Sequence, residues 1–402
     1  MLPGRTEEED RVRARAMRPP MAGRGGALAL VAAALCLLLQ LAAHGAAEPL
    51  VPAVFVFGDS TVDVGNNNYL NNCSVECRAD HPSYGVDYDD GAPTGRFSNG
   101  YNLADQLAQL LGFQGSPPPF LPMTNASRIQ QMSSTGINFA SGGSGLLVRT
   151  GLNVCGEVFP MAEQVRSFAD LARQWGDEDK TAAERISRSL VFISVGSNDL
   201  FEFSDAGPPS PSHNDTAFLQ DLIAYYTSYL KGLYGAGARR FSVVSPSLVG
   251  CCPSQRAVAR KGNAHDVDEF GCFGEANGLS GRLYPMIESM LQGLVAELPG
   301  MNYSLGDSIG MAKSVINNTN NHTPMPGLNF TVLDRACCGA GEFGEGGCSN
   351  NSVPLCASRG NYLFWDKFHP TEAASRVTAE QLFAGSSFVH PISVQQLVAP
   401  PP

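Results

Sequence analysis

An α/β fold, with a mainly parallel five-stranded sheet and helices on both of its faces, follows from three features of the sequence. Strand-like and helix-like segments alternate from residue 53 to residue 383. Three of the strand-like segments end in small polar or glycine-rich turns. No repeat period or long linker interrupts the alternation, so residues 48–402 read as one domain with a Pro-rich C-terminal tail. Strands separated by helices pair in parallel, because each crossover must cover one face of the sheet.

Residues 53–57 are β-branched and aromatic and read as a buried strand. Residues 101–111 place Leu103, Leu107, Leu110 and Leu111 on one helical face. A strand at 136–140 precedes a helix over 161–175, where Val165, Phe168, Leu171 and Trp175 fall near helical spacing. The apolar run 190–195 is the third strand. The stripe Phe218, Leu222, Tyr225, Tyr229 and Leu233 marks a helix over 218–233. A strand at 241–244 comes next, then a helix across 279–298 that Pro285 interrupts. A fifth strand at 301–305 and a last helix at 371–383 complete the order. Asn66-Asn67-Asn68, Pro117-Pro118-Pro119 and residues 208–212 read as loops, and the tail after Ser386 as a peripheral segment.

Residues 1–47 carry a secretory pattern. Arg11, Arg13, Arg15, Arg18 and Arg24 precede the apolar run 27–43, and small residues follow at Gly45-Ala46-Ala47. Glu7-Glu8-Glu9-Asp10 is atypical of such a segment, and initiation at Met17 or Met21 gives a more ordinary signal. The competing reading is an uncleaved anchor, for which the run is barely long enough. Signal removal takes away six arginines and four acids, which moves the formal charge from −11 to −13. A chain this acidic, without a basic stripe, excludes nucleic acid and anionic membrane surfaces as expected partners. No stable membrane anchor is expected once the signal is gone.

Ten cysteines remain after Cys36 leaves, an even count that points to disulfides in a secreted chain. Their connectivity is open. The rival is a zinc site at Cys337-Cys338 with Cys348 and Cys356, which lacks paired CxxC spacing. Sequons at Asn72, Asn125, Asn214, Asn302, Asn317, Asn321, Asn329 and Asn350 predict N-glycosylation.

Ligands of open parallel sheets sit beyond the carboxyl ends of the strands. The first strand ends in Gly58-Asp59-Ser60, the second in Ala140-Ser141-Gly142-Gly143-Ser144-Gly145 and the third in Gly196-Ser197-Asn198-Asp199. Far downstream lies Trp365-Asp366-Lys367-Phe368-His369-Pro370. Serine, histidine and aspartate are the parts of an activated oxygen nucleophile. Attack on an ester develops charge on the carbonyl oxygen, which fixed donors about 3 Å away must meet. The Ser60 N–H, a glycine N–H from the second loop and the Asn198 amide would supply three. Of the histidines beyond residue 47 (His81, His213, His265, His322, His369 and His390), only His369 has a carboxylate three residues upstream in an aromatic setting.

Over roughly residues 55–389 the chain resembles the plant-type GDSL esterase/lipases of the SGNH hydrolase superfamily. The resemblance rests on residues 57–68 (FGDSTVDVGNNN), 93–100 (PTGRFSNG), 138–143 (NFASGG), 195–199 (VGSND) and 364–371 (FWDKFHPT). It implies a three-layer α/β/α sandwich, Ser60 as nucleophile, Asp366 and His369 as relay, and Ser60, a glycine of the second block and Asn198 as oxyanion donors. Gly142 and Gly143 both qualify, and Gly142 follows the strand end by the shorter path. Small-molecule esters are the implied substrates, with no metal or organic cofactor. Thr61 stands where the family name expects leucine, just beyond the nucleophile, with little expected effect on chemistry. Arg96 and Asp63 are assigned to loop structure.

The expected activity is that of a secreted carboxylesterase or lipase. An acyltransferase using the same site, and a catalytically silent secreted binding or defence protein, are its alternatives. Gly306-Asp307-Ser308-Ile309-Gly310 offers a rival nucleophile elbow at Ser308. No HGGG-type segment precedes it, and it leaves Ser60, Gly142 and Asn198 unexplained.

Overall fold

The computed structural model describes residues 48–400 apart from 206–213, 262–266, 321–329, 349–352 and 354. The expected signal at 1–47, the loop at 208–212 and the sequons at Asn321, Asn329 and Asn350 lie outside the described residues. Residues Pro49–Pro402 cluster as one unit.

All five expected strands form: β1 (Val54–Gly58), β2 (Gly136–Asn138), β3 (Leu190–Ser194), β4 (Arg240–Val244) and β5 (Asn302–Gly306). They run parallel in the order β2-β1-β3-β4-β5. The order reverses at β1, so the crevice of the switch point opens beyond its carboxyl end. The helices of eight or more residues are α1 (Leu103–Leu110), α2 (Asn125–Met132), α3 (Met161–Glu178), α4 (Ser197–Asp205), α5 (Asp215–Gly235), α6 (Pro253–Lys261), α7 (Gly274–Glu297), α8 (Ser308–Asn320) and α9 (Glu372–Ala384).

Strand alternation divides the core between the two faces. Phe55, Phe57, Val191, Ile193 and Phe241 join the inward faces of α3, α5 and α7 in one cluster. Val54, Val56, Leu190 and Phe192 join Leu103 and Leu107 of α1 and Leu382 of α9 in the other. The result is a three-layer α/β/α sandwich. All five residues of β1 are buried, and each large apolar side chain contributes roughly 1.5–3 kcal/mol on leaving water. The strand that leads to Ser60 is therefore held from both sides.

Several elements differ from the sequence expectation. The tail does not lie apart: β8 (Val389–His390) pairs antiparallel with β5 as an edge strand, and Val394, Leu397 and Val398 enter the second core cluster. A second small sheet joins β6 (Val332–Ala336) to β7 (Tyr362–Phe364). Neither has enough alternation to announce itself. Helix α7 runs through Pro285 without interruption. Pro285 and Gly281, whose carbonyl loses its donor, are both exposed, so the missing bond falls where solvent can satisfy it.

Eight cysteines form Cys77–Cys155, Cys251–Cys272, Cys337–Cys356 and Cys338–Cys348. The zinc reading is overturned, since all four of its proposed ligands are consumed in two disulfides. Cys73 and Cys252 are buried thiols. Among the described residues, no helix is long and apolar enough to cross a membrane.

Candidate active site

Ser60 sits in the turn after β1, and Gly58 makes that turn possible. Gly58 has φ +141°, and a Cβ there would lie 1.9 Å from the Ser194 carbonyl oxygen of β3. Gln164 of α3 fixes the strand end from below. Its Oε1 accepts from the Gly58 N–H at 2.9 Å, and its Nε2 donates to the Gly58 carbonyl at 2.9 Å. The hydroxyl of Ser60 is thereby delivered beyond the sheet by a rigid peptide.

His369 reaches it across 309 residues of sequence, with Nε2 2.7 Å from Ser60 Oγ. The other ring nitrogen, Nδ1, lies 2.8 Å from both carboxylate oxygens of Asp366. The Phe368 and His369 N–H groups donate to Asp366 Oδ1 at 2.9 and 2.8 Å. The Tyr84 hydroxyl donates to Oδ2 at 2.7 Å. Burial opposes ionisation of Asp366, but the adjacent imidazole and these donors outweigh it and hold its carboxyl below the ordinary range. The ring of Phe97 lies 4.8 Å from that of His369 and limits its rotation. Such a chain lets the imidazole take a proton from the hydroxyl while the carboxylate stabilises the charge that results.

The loop that carries Asp366 and His369 leaves the small β6–β7 sheet. The Cys337 and Cys338 N–H groups donate to the Phe364 and Trp365 carbonyls at 3.0 and 2.7 Å, and the Trp365 N–H donates to the His369 carbonyl at 2.7 Å. Trp365 is fully buried beneath the loop.

Three residues that line the cavity at Ser60 carry N–H groups with hydrogen-bonding capacity to spare. The Ser60 and Gly143 N–H groups have no intramolecular acceptor among the described residues. Asn198, in the first turn of α4, spends one amide hydrogen on the Ser144 carbonyl at 2.9 Å and keeps the other free. Of the two candidate glycines, Gly142, slightly favoured by the sequence, has its N–H already engaged. Its N–H donates to Asp63 Oδ2 at 2.9 Å, whereas Gly143 lines the cavity. Gly143 has φ +82°, and a Cβ there would sit 2.4 Å from Cys155 Sγ.

Buried carboxylates hold these loops to one another. Asp63 also accepts from the Gly65 and Asn66 N–H groups at 2.7 and 2.8 Å. Asp199 accepts from the Leu146 and Leu147 N–H groups at 2.7 and 2.9 Å and from Thr150 Oγ1 at 2.7 Å. Burial pushes Asp59, Asp63 and Asp199 up to about 6 each, against the lowering effect of their N–H donors. Arg96 forms a two-pronged pair with Asp105 at 2.6 and 2.8 Å, a structural role like that of Asp63. Tyr84 and Asp199 were not singled out by the sequence. Asp199 stands in the VGSND block, while Tyr84 lies in a loop with no motif to mark it.

A cavity of about 350 Å³ opens beside Ser60 and runs between α8 and α9, with Leu248, Met311, Val315, Leu333 and Phe388 among its walls. Ser308 also lines this cavity, and β5 leads into α8 as a nucleophile elbow requires. Its backbone is engaged with Ser245 and Ser247, and among the described residues no histidine hydrogen-bonds to it. The elbow geometry is present without a base.

The model of the GDSL-like lipase/acylhydrolase family matches residues 54–382. GDSL esterase/lipase At1g71691 of Arabidopsis thaliana is 34% identical over 359 residues, which cover 88% of this chain and 87% of that protein. GDSL esterase/lipase At5g55050 of the same plant is 33% identical, covering 87% of this chain and 90% of its own length. With β1, the three strand-end loops and the loop of Asp366 and His369 all inside the matched span, the chain belongs to the GDSL-like lipase/acylhydrolase family.

Proposed function

We propose that the chain is a secreted serine ester hydrolase of the carboxylesterase or lipase kind, working through a Ser60 acyl-enzyme. One observation carries the reading: the Ser60 hydroxyl lies 2.7 Å from an imidazole that is itself braced by Asp366, at the mouth of an apolar cavity. His369 Nε2 takes the Ser60 proton as Oγ bonds to the ester carbonyl carbon. The Ser60 N–H, the Gly143 N–H and Asn198 Nδ2 meet the oxyanion. On collapse, the imidazolium returns the proton to the departing alcohol. Water then attacks the acyl-enzyme, His369 takes its proton, and Ser60 leaves reprotonated with the free acid released. Side chains and backbone amides supply every group in this sequence. The apolar walls suit the acyl portion of a small-molecule ester.

Secretion and N-glycosylation belong to the same proposal. Four disulfides support an oxidising compartment. Asn72, Asn125, Asn214, Asn302 and Asn317 are all exposed, as acceptor sites must be. A panel of nitrophenyl esters of increasing acyl length tests the activity. Wild-type protein hydrolyses them and Ser60→Ala loses at least about 10⁴ in kcat with an unchanged melting curve. Equal rates for the two proteins remove Ser60 from the chemistry and favour the silent binding protein.

A further inference from the structure

The geometry points to Tyr84 as a positioning residue for the Asp366–His369 pair: its hydroxyl fixes the rotation of the carboxylate and tempers the grip of that carboxylate on the protonated imidazole. The inference rests on the relay proposed above.

The Asp366 carboxylate has two oxygens with unequal support. Oδ1 receives two backbone N–H groups of its own loop, at 2.9 and 2.8 Å. Among the described residues, Oδ2 receives, besides the imidazole, only the Tyr84 hydroxyl, at 2.7 Å from a segment 282 residues away. Without that donor Oδ2 keeps only the imidazole, and the loop N–H groups hold the carboxylate through Oδ1 alone. Behind it lies a cavity of about 20 Å³ bordered by Glu76, His81, Gly347, Cys348 and Lys367. That is room for a single water and little more. A water there would be a weaker and looser substitute for the phenol.

The chain goes to some length to aim this residue. Ser83 has φ 86°, the one positive value at a non-glycine position among the described residues. Gly85 follows with φ 69°, and its N–H donates to the Ser98 carbonyl at 3.0 Å. The Tyr84 ring packs 5.0 Å from His81 and 6.0 Å from Phe97, the residue whose ring also lies against His369. One aromatic cluster thus seats both ends of the pair. Burial, with Asp366 next, raises the Tyr84 phenol well above its ordinary value, so it remains a donor wherever the enzyme works.

A donor that shares the negative charge of Asp366 weakens its attraction for the imidazolium. The other charged or titratable groups around the pair are His81 and Glu76, Lys367 (which pairs with Glu76 at 3.3 Å), the buried Cys252 thiol and Asp59. All of them persist when only the phenol oxygen is removed, so a difference between wild type and Tyr84→Phe isolates the hydroxyl.

The test compares wild type, Tyr84→Phe, Asp366→Asn and the double variant in kcat, KM and the pH profile of kcat/KM on a nitrophenyl ester. Tyr84→Phe is expected to lower kcat about tenfold with KM unchanged, and to move the acid limb of the profile to higher pH. Adding Tyr84→Phe to Asp366→Asn is expected to cost almost nothing further, because the hydroxyl acts through the carboxylate. Fluorotyrosine at position 84, a stronger donor of the same shape, is expected to move the acid limb the other way, and it reads the effect even if the phenylalanine variant folds poorly. Wild-type kcat and profile in a folded Tyr84→Phe overturn the inference, as does an equal loss in both backgrounds. If Asp366→Asn itself keeps the wild-type rate, the relay reading falls first, and that outcome is distinct from both.

Discussion

The two halves of the site are held by different means. Ser60 stands on β1, a fully buried strand with β2 and β3 on either side and side chains in both core clusters. Asp366 and His369 stand on a loop that leaves a half-buried two-stranded sheet at the rim of the fold. There, two disulfides, the fully buried Trp365 and short backbone hydrogen bonds do what the main core does for the serine. The Ser60 turn takes its rigidity from packing, and the His369 loop from crosslinks. A protein built this way can keep its sheet and lose its relay, but the converse is hard to achieve.

Substitutions on the two sides sharpen the contrast. On the strand-end side, Asn198→Ala removes one oxyanion donor and is expected to lower kcat by about 10²–10³ without changing the melting temperature. Steady-state kinetics on a nitrophenyl ester, beside a melting curve, decide it. A wild-type rate would take Asn198 out of the oxyanion site. On the relay side, replacing Cys338 and Cys348 together by serine is expected to lower kcat about tenfold, with far-ultraviolet circular dichroism unchanged. Activity and secondary structure lost in parallel would instead show that the small sheet and the main sheet unfold together.

The smallest effect concerns pH, where the two halves carry opposite linkage. Asp59, Asp63 and Asp199 are pushed by burial from 3.8 up to about 6. Between those values the folded chain holds protons that the unfolded chain releases. Their contribution to stability is therefore fully present below 3.8 and is lost as pH rises through about 6. Asp366 is held below 3.8, so its contribution is present above that value and is lost as pH falls through its lowered one. Melting temperature is expected to rise by a few degrees from about pH 7.5 to about pH 5, then to fall at lower pH. Scanning calorimetry across that range checks the sign, and a steady decline from pH 7.5 downward would contradict it.

What the sequence made legible follows the same division. All five strands of the parallel sheet could be read, because each is a short segment set between helical stripes and turn residues, and residues beyond three of them line one cavity. The rim was harder. The β6–β7 sheet, the disulfide pairs and the edge strand β8 depend on long-range partners that no local period records. Tyr84 was invisible for the same reason, since its partner lies 282 residues away. The slight preference for Gly142 over Gly143 weighed path length and not competition for the N–H. Asp63 had already claimed the Gly142 donor. The elbow at Ser308 shows the complementary lesson, with strand, turn and helix all in place but no histidine hydrogen-bonded to Ser308 among the described residues.

The most direct test is labelling of the native protein with a fluorophosphonate, followed by peptide mass spectrometry. A covalent adduct is expected on Ser60, and it disappears in His369→Ala, because the hydroxyl reacts only when the imidazole can take its proton. An adduct on Ser308 with Ser60 unmodified would contradict it.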